Sequence, residues 1–457
     1  MRQSEAARPT AETGTRERPA AVRTRAGLQR PRLTGGGSSD EGPELPRFSA
    51  RATDDLAGAD PEGGRAAPDR ARLALAEALS ASQPVMSRDR FAGRFDVLSA
   101  LIAAIEQQRA HVVVYGERGI GKTSIIHMFA EAAREARYVV LYSSCGVAAT
   151  FDDMFRSFAA QLPLLYHSAV SPTAEEAEHQ RTFADLLGPG PVDARRMAEL
   201  FSHVVGTRVI IVLDEYDRVA DIGFRREVAE LVKNLSDRAA RVQLVLTGVA
   251  SNLEELIGFT PSIRRNIVGL PVGPMTEPEM RKILEIAEAA TGLAFAGEAA
   301  DLIVAMAGGS PYLVRLLGLR SALRALDENR ETVAAADVIA GTESVLAEWN
   351  SGLPRRTRAL LRHPEVRSAW PVLIAAARAS GTPEGWFSAD DVAGEMGCDA
   401  DAALVQQQLE AFLGPIDLFD RSEAVAGNSG REGRFRFRTP GVAQLLSLSA
   451  ALARVGR

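Results

Sequence analysis

The stretch His111–Phe129, HVVVYGERGIGKTSIIHMF, decides how the rest of the chain is read. Its valine run suits a strand buried on both faces. The pattern breaks at Gly116, crosses Gly119 and Gly121, and resumes with helical spacing from Lys122. Gly116-x-x-x-x-Gly121-Lys122-Thr123 has the spacing of a phosphate-binding loop, and it lies between strand and helix as such a loop must. Its glycines let backbone N–H groups turn toward an anion. The helix that opens near Lys122 presents unsatisfied N–H groups and a positive dipole end to phosphate. Gly116, Glu117, Arg118, Gly119, Ile120, Gly121, Lys122, Thr123 and Ser124 are therefore the expected nucleotide-binding loop. Lys122 is expected to reach the β- and γ-phosphates, and the Thr123 hydroxyl to ligate Mg²⁺.

Around this loop, apolar runs alternate with helical patterns. YVVLYSS (138–144), RVIIVLDEYD (208–217), VQLVLTGVA (242–250) and NIVGLPV (266–272) read as four further strands. Such alternation predicts an α/β unit with a parallel sheet covered on both faces. The stretch 163–195, with Pro, Gly and a polar helix, reads as an insertion before the third strand. That strand delivers Asp214 and Glu215 to its C-terminal end, where open α/β sheets bind ligands. Asp214 is expected to hold Mg²⁺ through its water. Glu215 is expected to orient and deprotonate an attacking water.

The composition excludes several classes. The chain has 457 residues, more than one typical core accommodates. It is 46% hydrophobic and 25% charged, with a formal net charge of −6. These values fit an ordinary globular protein with no global attraction to nucleic acid or anionic membrane. No run of 18 apolar residues suggests a membrane span, and the N-terminus has no continuous apolar segment of a secretory signal. Two distant cysteines, Cys145 and Cys398, make no disulfide framework and no zinc spacing, so the expected location is a reducing cytoplasm. Only three of the 53 basic residues are lysines, so a lysine falling in a motif by accident is improbable.

Residues 1–70 read as a disordered tail, poor in aliphatic runs. A short helix, ARLALAEALSA (71–81), opens an ATPase-type core expected over 71–275. Residues 276–350 read as an all-helical lid, with helices near 297–307, 311–326 and 335–349. Thr276 is read there as a simple cap without a reciprocal capping box, with Glu277 and Glu279 in the first turn, where the helix dipole favours acids. In 351–457, SADDVAGEMG and DAALVQQQLEAF read as two helices joined by a tight turn. DLFDRSEAVAGNSGREGRFRFRT then reads as a two-stranded wing. Helix, turn, helix, hairpin is winged-helix order. The second of these helices holds no Arg or Lys, which speaks against base or phosphate contact. In the wing, Arg431, Arg434, Arg436 and Arg438 alternate with Phe435 and Phe437. The favoured reading puts the Phe face in the core and the Arg face in solvent.

GERGIGKTS and LDEYD together resemble the AAA+ and STAND branch of P-loop ATPases, in particular origin-recognition-like initiators. FAGRFDVLSAL (91–101) resembles the F-x-G-R-x-x-x-L box of that group, which implies Gly93 and Arg94 near the adenine. VQLVLTGVASN resembles the sensor-one strand, with Thr247 as the first choice for the polar group near the γ-phosphate and Ser251 and Asn252 as competitors. Arg265, with Arg264 as the alternative, matches an arginine that acts from a neighbouring subunit in that group. GGSPYLVRLLG (308–318) resembles the STAND lid helix start, but Tyr312 stands where many members carry an arginine, and Arg315 follows one turn later. The resemblance implies ATP and Mg²⁺ as ligands, and a Mg²⁺-dependent ATPase that switches conformation. The alternatives are a slow nucleotide-gated signalling or scaffold switch, and a DNA-associated initiator, transposition or defence ATPase. It also implies a protein partner or homo-oligomer, with DNA weakly supported and no membrane.

Overall fold

All five apolar runs become strands: β1 (His111–Gly116), β2 (Val139–Ser144), β3 (Val209–Asp214), β4 (Val242–Val249) and β5 (Ile267–Val272). They form one parallel sheet in the order β2-β3-β4-β1-β5. The computed structural model describes residues 67–169, 181–250, 252–257, 261–380, 385–397, 400–414, 416–422 and 433–455. The sheet is the parallel α/β sheet that the alternation of apolar runs and helical patterns predicts.

The strands are mainly apolar because both faces are covered. Helices α2 (Phe95–Glu106) and α3 (Lys122–Glu135) cover one face, while α4 (Phe151–Gln161), α5 (Ala194–Ser202) and α6 (Ile222–Asp237) cover the other. On β3, Ile210 and Val212 pack in the cluster of Leu101, Ile125 and Phe129. Ile211 and Leu213 pack in the cluster of Phe155, Phe201 and Phe224. The insertion before β3 adds Leu164, Phe183 and Leu187 to that second cluster. The polar helix expected within it lies outside the described residues.

His111 opens β1 at 3% exposure, and its Nδ1 accepts the Leu244 N–H at 2.9 Å. Burial pushes its pKa down to about 4. The folded state therefore holds the neutral ring, while the unfolded chain takes up a proton below its ordinary value. Stability is full above about pH 6.5 and is lost as pH falls toward 4. Between pH 7 and 5 this one residue is expected to remove about 2 kcal/mol. His111→Asn, whose side-chain oxygen keeps an acceptor for Leu244, should lack that component. Urea denaturation of both proteins at the two pH values checks it.

After α7 (Leu253–Ile257), α8 (Pro261–Arg264) and β5 comes the helical unit: α9 (Glu277–Thr291), α10 (Gly297–Ala307), α11 (Pro311–Asp327) and α12 (Ala335–Gly352). Between them, β6 (Ala294–Phe295) and β7 (Thr332–Val333) form a short parallel pair. Two expectations need correction. Thr276 does form a capping box: Glu279 accepts the Thr276 N–H at 2.8 Å and its hydroxyl at 2.9 Å. The helix assigned to the ATPase core, α1 (Ala67–Ala78), packs instead on the helical unit, where Leu75, Ala78 and Leu79 join Met280, Ile283, Leu284 and Leu317. Its apolar stripe fits a helical neighbour some 200 residues downstream, which no local pattern reveals. The tail read over 1–70 lies outside the described residues up to 66.

In the last unit, α13 (Arg355–Leu361), α14 (Pro364–Ser368) and α15 (Trp370–Ala379) precede the two expected helices, α16 (Ala389–Met396) and α17 (Ala402–Glu410). β8 (Phe419–Arg421) pairs antiparallel with β9 (Phe435–Phe437), and Phe387 bridges to Phe435. Phe435 and Phe437 are buried, as the alternation requires. Arg436 bonds Asp420 at 3.2 Å and lies 4.6 Å from the Trp386 ring. Arg438 reaches Asp417 and Asp420 at 2.5 and 2.9 Å. Arg431 lies outside the described residues. The final helix, α18 (Val442–Val455), places Leu445 and Leu446 in this unit's core and Leu448 in that of the helical unit.

Candidate nucleotide-binding cleft

A cleft of about 760 Å³ opens at the C-terminal ends of β1, β3 and β4. The helical unit closes its other side with Met275, Ile283, Pro311, Tyr312 and Arg315, and residues 80–85 form a strap along one wall.

The loop between β1 and α3 forms its floor. Gly121 is the N-cap of α3 with φ +99°, a backbone that side-chain-bearing residues rarely adopt. Lys122 is 9% exposed, and its Nζ donates to the Gly116 and Glu117 carbonyls at 2.9 and 2.7 Å. Burial pushes its pKa down to about 8, against the opposing pull of Asp217, Asp214 and Glu117. The Ser124 hydroxyl accepts the Val85 N–H at 3.0 Å and so ties the strap to the loop. Thr123 lines the cleft beside it.

The acidic pair faces the loop. Leu213 is in register with Leu246, so Asp214 comes beside Thr247 one step further along the ladder. Buried Asp214 accepts hydrogen bonds from the Thr247 hydroxyl, the Tyr142 hydroxyl (2.7 Å) and the Glu215 N–H (2.9 Å). Glu215 adopts a left-handed backbone, φ +53°. Its Oε2 accepts the Ser144 hydroxyl at 2.9 Å and meets Arg218 at 2.7 Å. Asp217 accepts the Val249 N–H at 2.9 Å.

Arg94 is buried at the cleft wall and donates to the Ile120 carbonyl at 3.3 Å, while its Nε has no partner. Its backbone N–H binds Glu279 of α9 at 2.7 Å, and a Cβ on Gly93 would run into that same carboxylate. Arg315 of α11 is buried too, donating to the Ala78 and Arg90 carbonyls at 2.8 and 3.3 Å. Burial lowers its pKa to about 10, and the nearby Arg90 acts in the same direction.

Arg118 through Ser124, Arg94, Asp214, Glu215 and Thr247 thus meet in one cleft. Others stand apart. Arg265 is exposed in the turn before β5, and Arg264 lies 3.6 Å from Glu254. Neither lines the cleft. Asn252 instead accepts the Glu255 N–H at 3.1 Å at the start of α7, and Ser251 lies outside the described residues. Sequence reasoning passed over Tyr142, Ser144, Asp217 and Arg218, all of which line the cleft. A signal existed in β2, whose Tyr142 and Ser144 share one face at its C-terminal end. It acquires meaning only with β3 alongside.

The donor set fits Mg²⁺ and a nucleotide. Thr123 and Asp214 offer hard oxygens. Lys122 is a buried cation whose bonded partners are neutral carbonyls, and Arg94 has an orphaned nitrogen at the same cleft. Among the described residues, no group of three or more His, Cys, Asp and Glu could hold a metal alone.

Residues 90–246 match the family model of the AAA ATPase domain. No curated protein matches the chain. Among solved structures, the chain is similar to the Orc1 protein of Aeropyrum pernix, solved in complex with DNA (16% identity, 84% of this chain and 98% of that one, TM-score 0.43). It is also similar to the RuvB Holliday junction branch migration motor of Thermotoga maritima (17% identity, 78% and 95%, TM-score 0.41). A Walker-type ATPase of Pyrococcus abyssi matches at 14% identity over 80% and 99%, with a TM-score of 0.45.

Proposed function

With an AAA ATPase domain over residues 90–246 as the premise, we propose that this protein binds ATP with Mg²⁺ in the cleft and hydrolyses it, and that the nucleotide state sets the position of the helical lid. The observation that carries this reading is the convergence of Lys122, Asp214, Glu215 and Thr247 on one cleft that the lid also lines. Lys122 leaves its loop carbonyls for the β- and γ-phosphates. Thr123 would ligate Mg²⁺ and Asp214 would hold it through its water, and the ion would neutralise phosphate charge. Glu215 orients the attacking water and takes its proton. Thr247 faces the γ-phosphate. Arg94 lines the base side, with Gly93 next to it in the chain. Arg315 and Tyr312 carry the nucleotide state to the lid, which gives the lid a stake in phosphate loss. Arg265, exposed and outside the cleft, is available to a neighbouring subunit.

A cytoplasmic location suits this reading, and no helix among the described residues is long and apolar enough to cross a membrane. A winged-helix-like role for 351–457 rests on its helix-helix-ladder order. One observation favours a protein partner over DNA for this unit: Arg436 and Arg438 are engaged by Asp420, Asp417 and the Trp386 ring. Another favours slow turnover, the hold of Ser144 and Arg218 on Glu215.

The test is steady-state ATP hydrolysis by the purified protein beside Lys122→Ala. We expect Mg²⁺-dependent turnover that the substitution abolishes, with ATP affinity reduced about 100-fold or more. An ATP affinity in Lys122→Ala within about threefold of wild type would sink the proposal.

A further inference from the structure

We propose that Tyr142 is a positioning residue that holds Asp214 in its metal-facing orientation. The inference rests on the reading that Asp214 faces Mg²⁺. An ionised carboxylate has about four acceptor sites. Three on Asp214 are filled from three different strands: Thr247 of β4 and the Glu215 N–H following β3 on Oδ1, and Tyr142 of β2 on Oδ2. One acceptor site remains, on the oxygen that Tyr142 anchors. That site suits a metal-bound water.

Tyr142 is built for the task. It sits two residues before the end of edge strand β2, in register with Val212, so its side chain spans toward the end of β3. The His127 ring lies 5.1 Å from its ring, tilted by 32°, and limits its swing. It is only partly buried and lines the cleft, yet its hydroxyl turns to the carboxylate. A merely structural tyrosine would need no such partner at a wet wall. Remove the hydroxyl and Asp214 keeps its Oδ1 bonds, but Oδ2 loses the donor that fixes it. The role acts through Asp214 and requires no contact of Tyr142 with phosphate or metal.

The experiment uses the full chain and its Tyr142→Phe variant, which keeps the ring against His127. Affinity for a non-hydrolysable ATP analogue is measured by calorimetry over a MgCl₂ series and in EDTA. We expect the Mg²⁺ concentration for half-maximal enhancement to rise roughly tenfold in the variant, with the EDTA affinity within about twofold of wild type. An unchanged or lower Mg²⁺ requirement, beside a normal wild-type response, would overturn the role of Tyr142 alone. A collapse of the EDTA affinity would overturn it as well, because the hydroxyl would then be supporting the whole site. A wild type whose affinity ignores Mg²⁺ would bring down the ATPase reading and this inference together.

Discussion

Glu215→Gln is expected to lower ATP turnover about 10²–10⁴-fold while leaving ATP affinity within about twofold. The geometry separates the two effects. Glu215 stands at the end of β3, facing the loop between β1 and α3, and its partners are Ser144 and Arg218. Glutamine fills the same volume and still accepts the Ser144 hydroxyl. It cannot take a proton from water. The left-handed backbone at this position aims the side chain and belongs to the turn, so the substitution leaves it in place. Rapid-quench and steady-state assays with labelled ATP, beside equilibrium binding, check the result. Wild-type turnover in the variant would remove Glu215 from the chemistry. Loss of binding together with turnover would make it a structural residue of the cleft.

Lys122→Met is expected to abolish nucleotide binding and, at the same time, to stabilise the ligand-free protein. An ammonium group is held here at 9% exposure among neutral carbonyls, with a pKa near 8. The shift from the ordinary 10.5 corresponds to about 3 kcal/mol against the folded state. Two bonds to carbonyls, each contributing about 1 kcal/mol, offset part of it. Methionine has a similar shape and no charge, so the net gain should be about 1–2 kcal/mol near neutral pH. The sign follows from the depressed folded-state value. The penalty is fully present below about pH 8 and fades as pH rises toward 10.5, so the two proteins should converge in alkali. With Mg²⁺ and ATP at about 100 times the dissociation constant, wild type should gain about 2.7 kcal/mol and overtake the variant. Thermal melts at pH 7 and 10, with and without nucleotide, read all of this. A ligand-free variant that melts below wild type at pH 7 would contradict the argument.

The places of both residues are written locally. Lys122 follows two glycines at fixed spacing between strand and helix, and Glu215 follows Asp214 at the end of an aliphatic run of strand type. The loop, the acidic pair and the five strands are local features, each written in a few consecutive residues by steric demand or burial period. The same holds for the Phe and Arg alternation of β9, whose two faces follow from a period of two.

The rest depended on partners distant in the chain. Tyr142 and Ser144 look like the tail of an edge strand until β3 lies beside them and presents Asp214 and Glu215. Thr247 is separated from Asn252 as a cleft residue by the register of β4 against β3, and register is a property of the paired sheet. Helix α1 carries an amphipathic pattern that fits many neighbours, and only packing assigns it to α9 and α11. The pairing of Arg436 and Arg438 with acids likewise needed both strands of the ladder. The sequence by itself determined the five strands, the glycine loop after β1 and the helices that flank them, because helix, strand and glycine turn are set by neighbours a few residues apart. Tertiary structure alone decided which hydroxyls hold the carboxylates and that α1 joins the helical unit, because those contacts join segments whose separation in the chain carries no local signal.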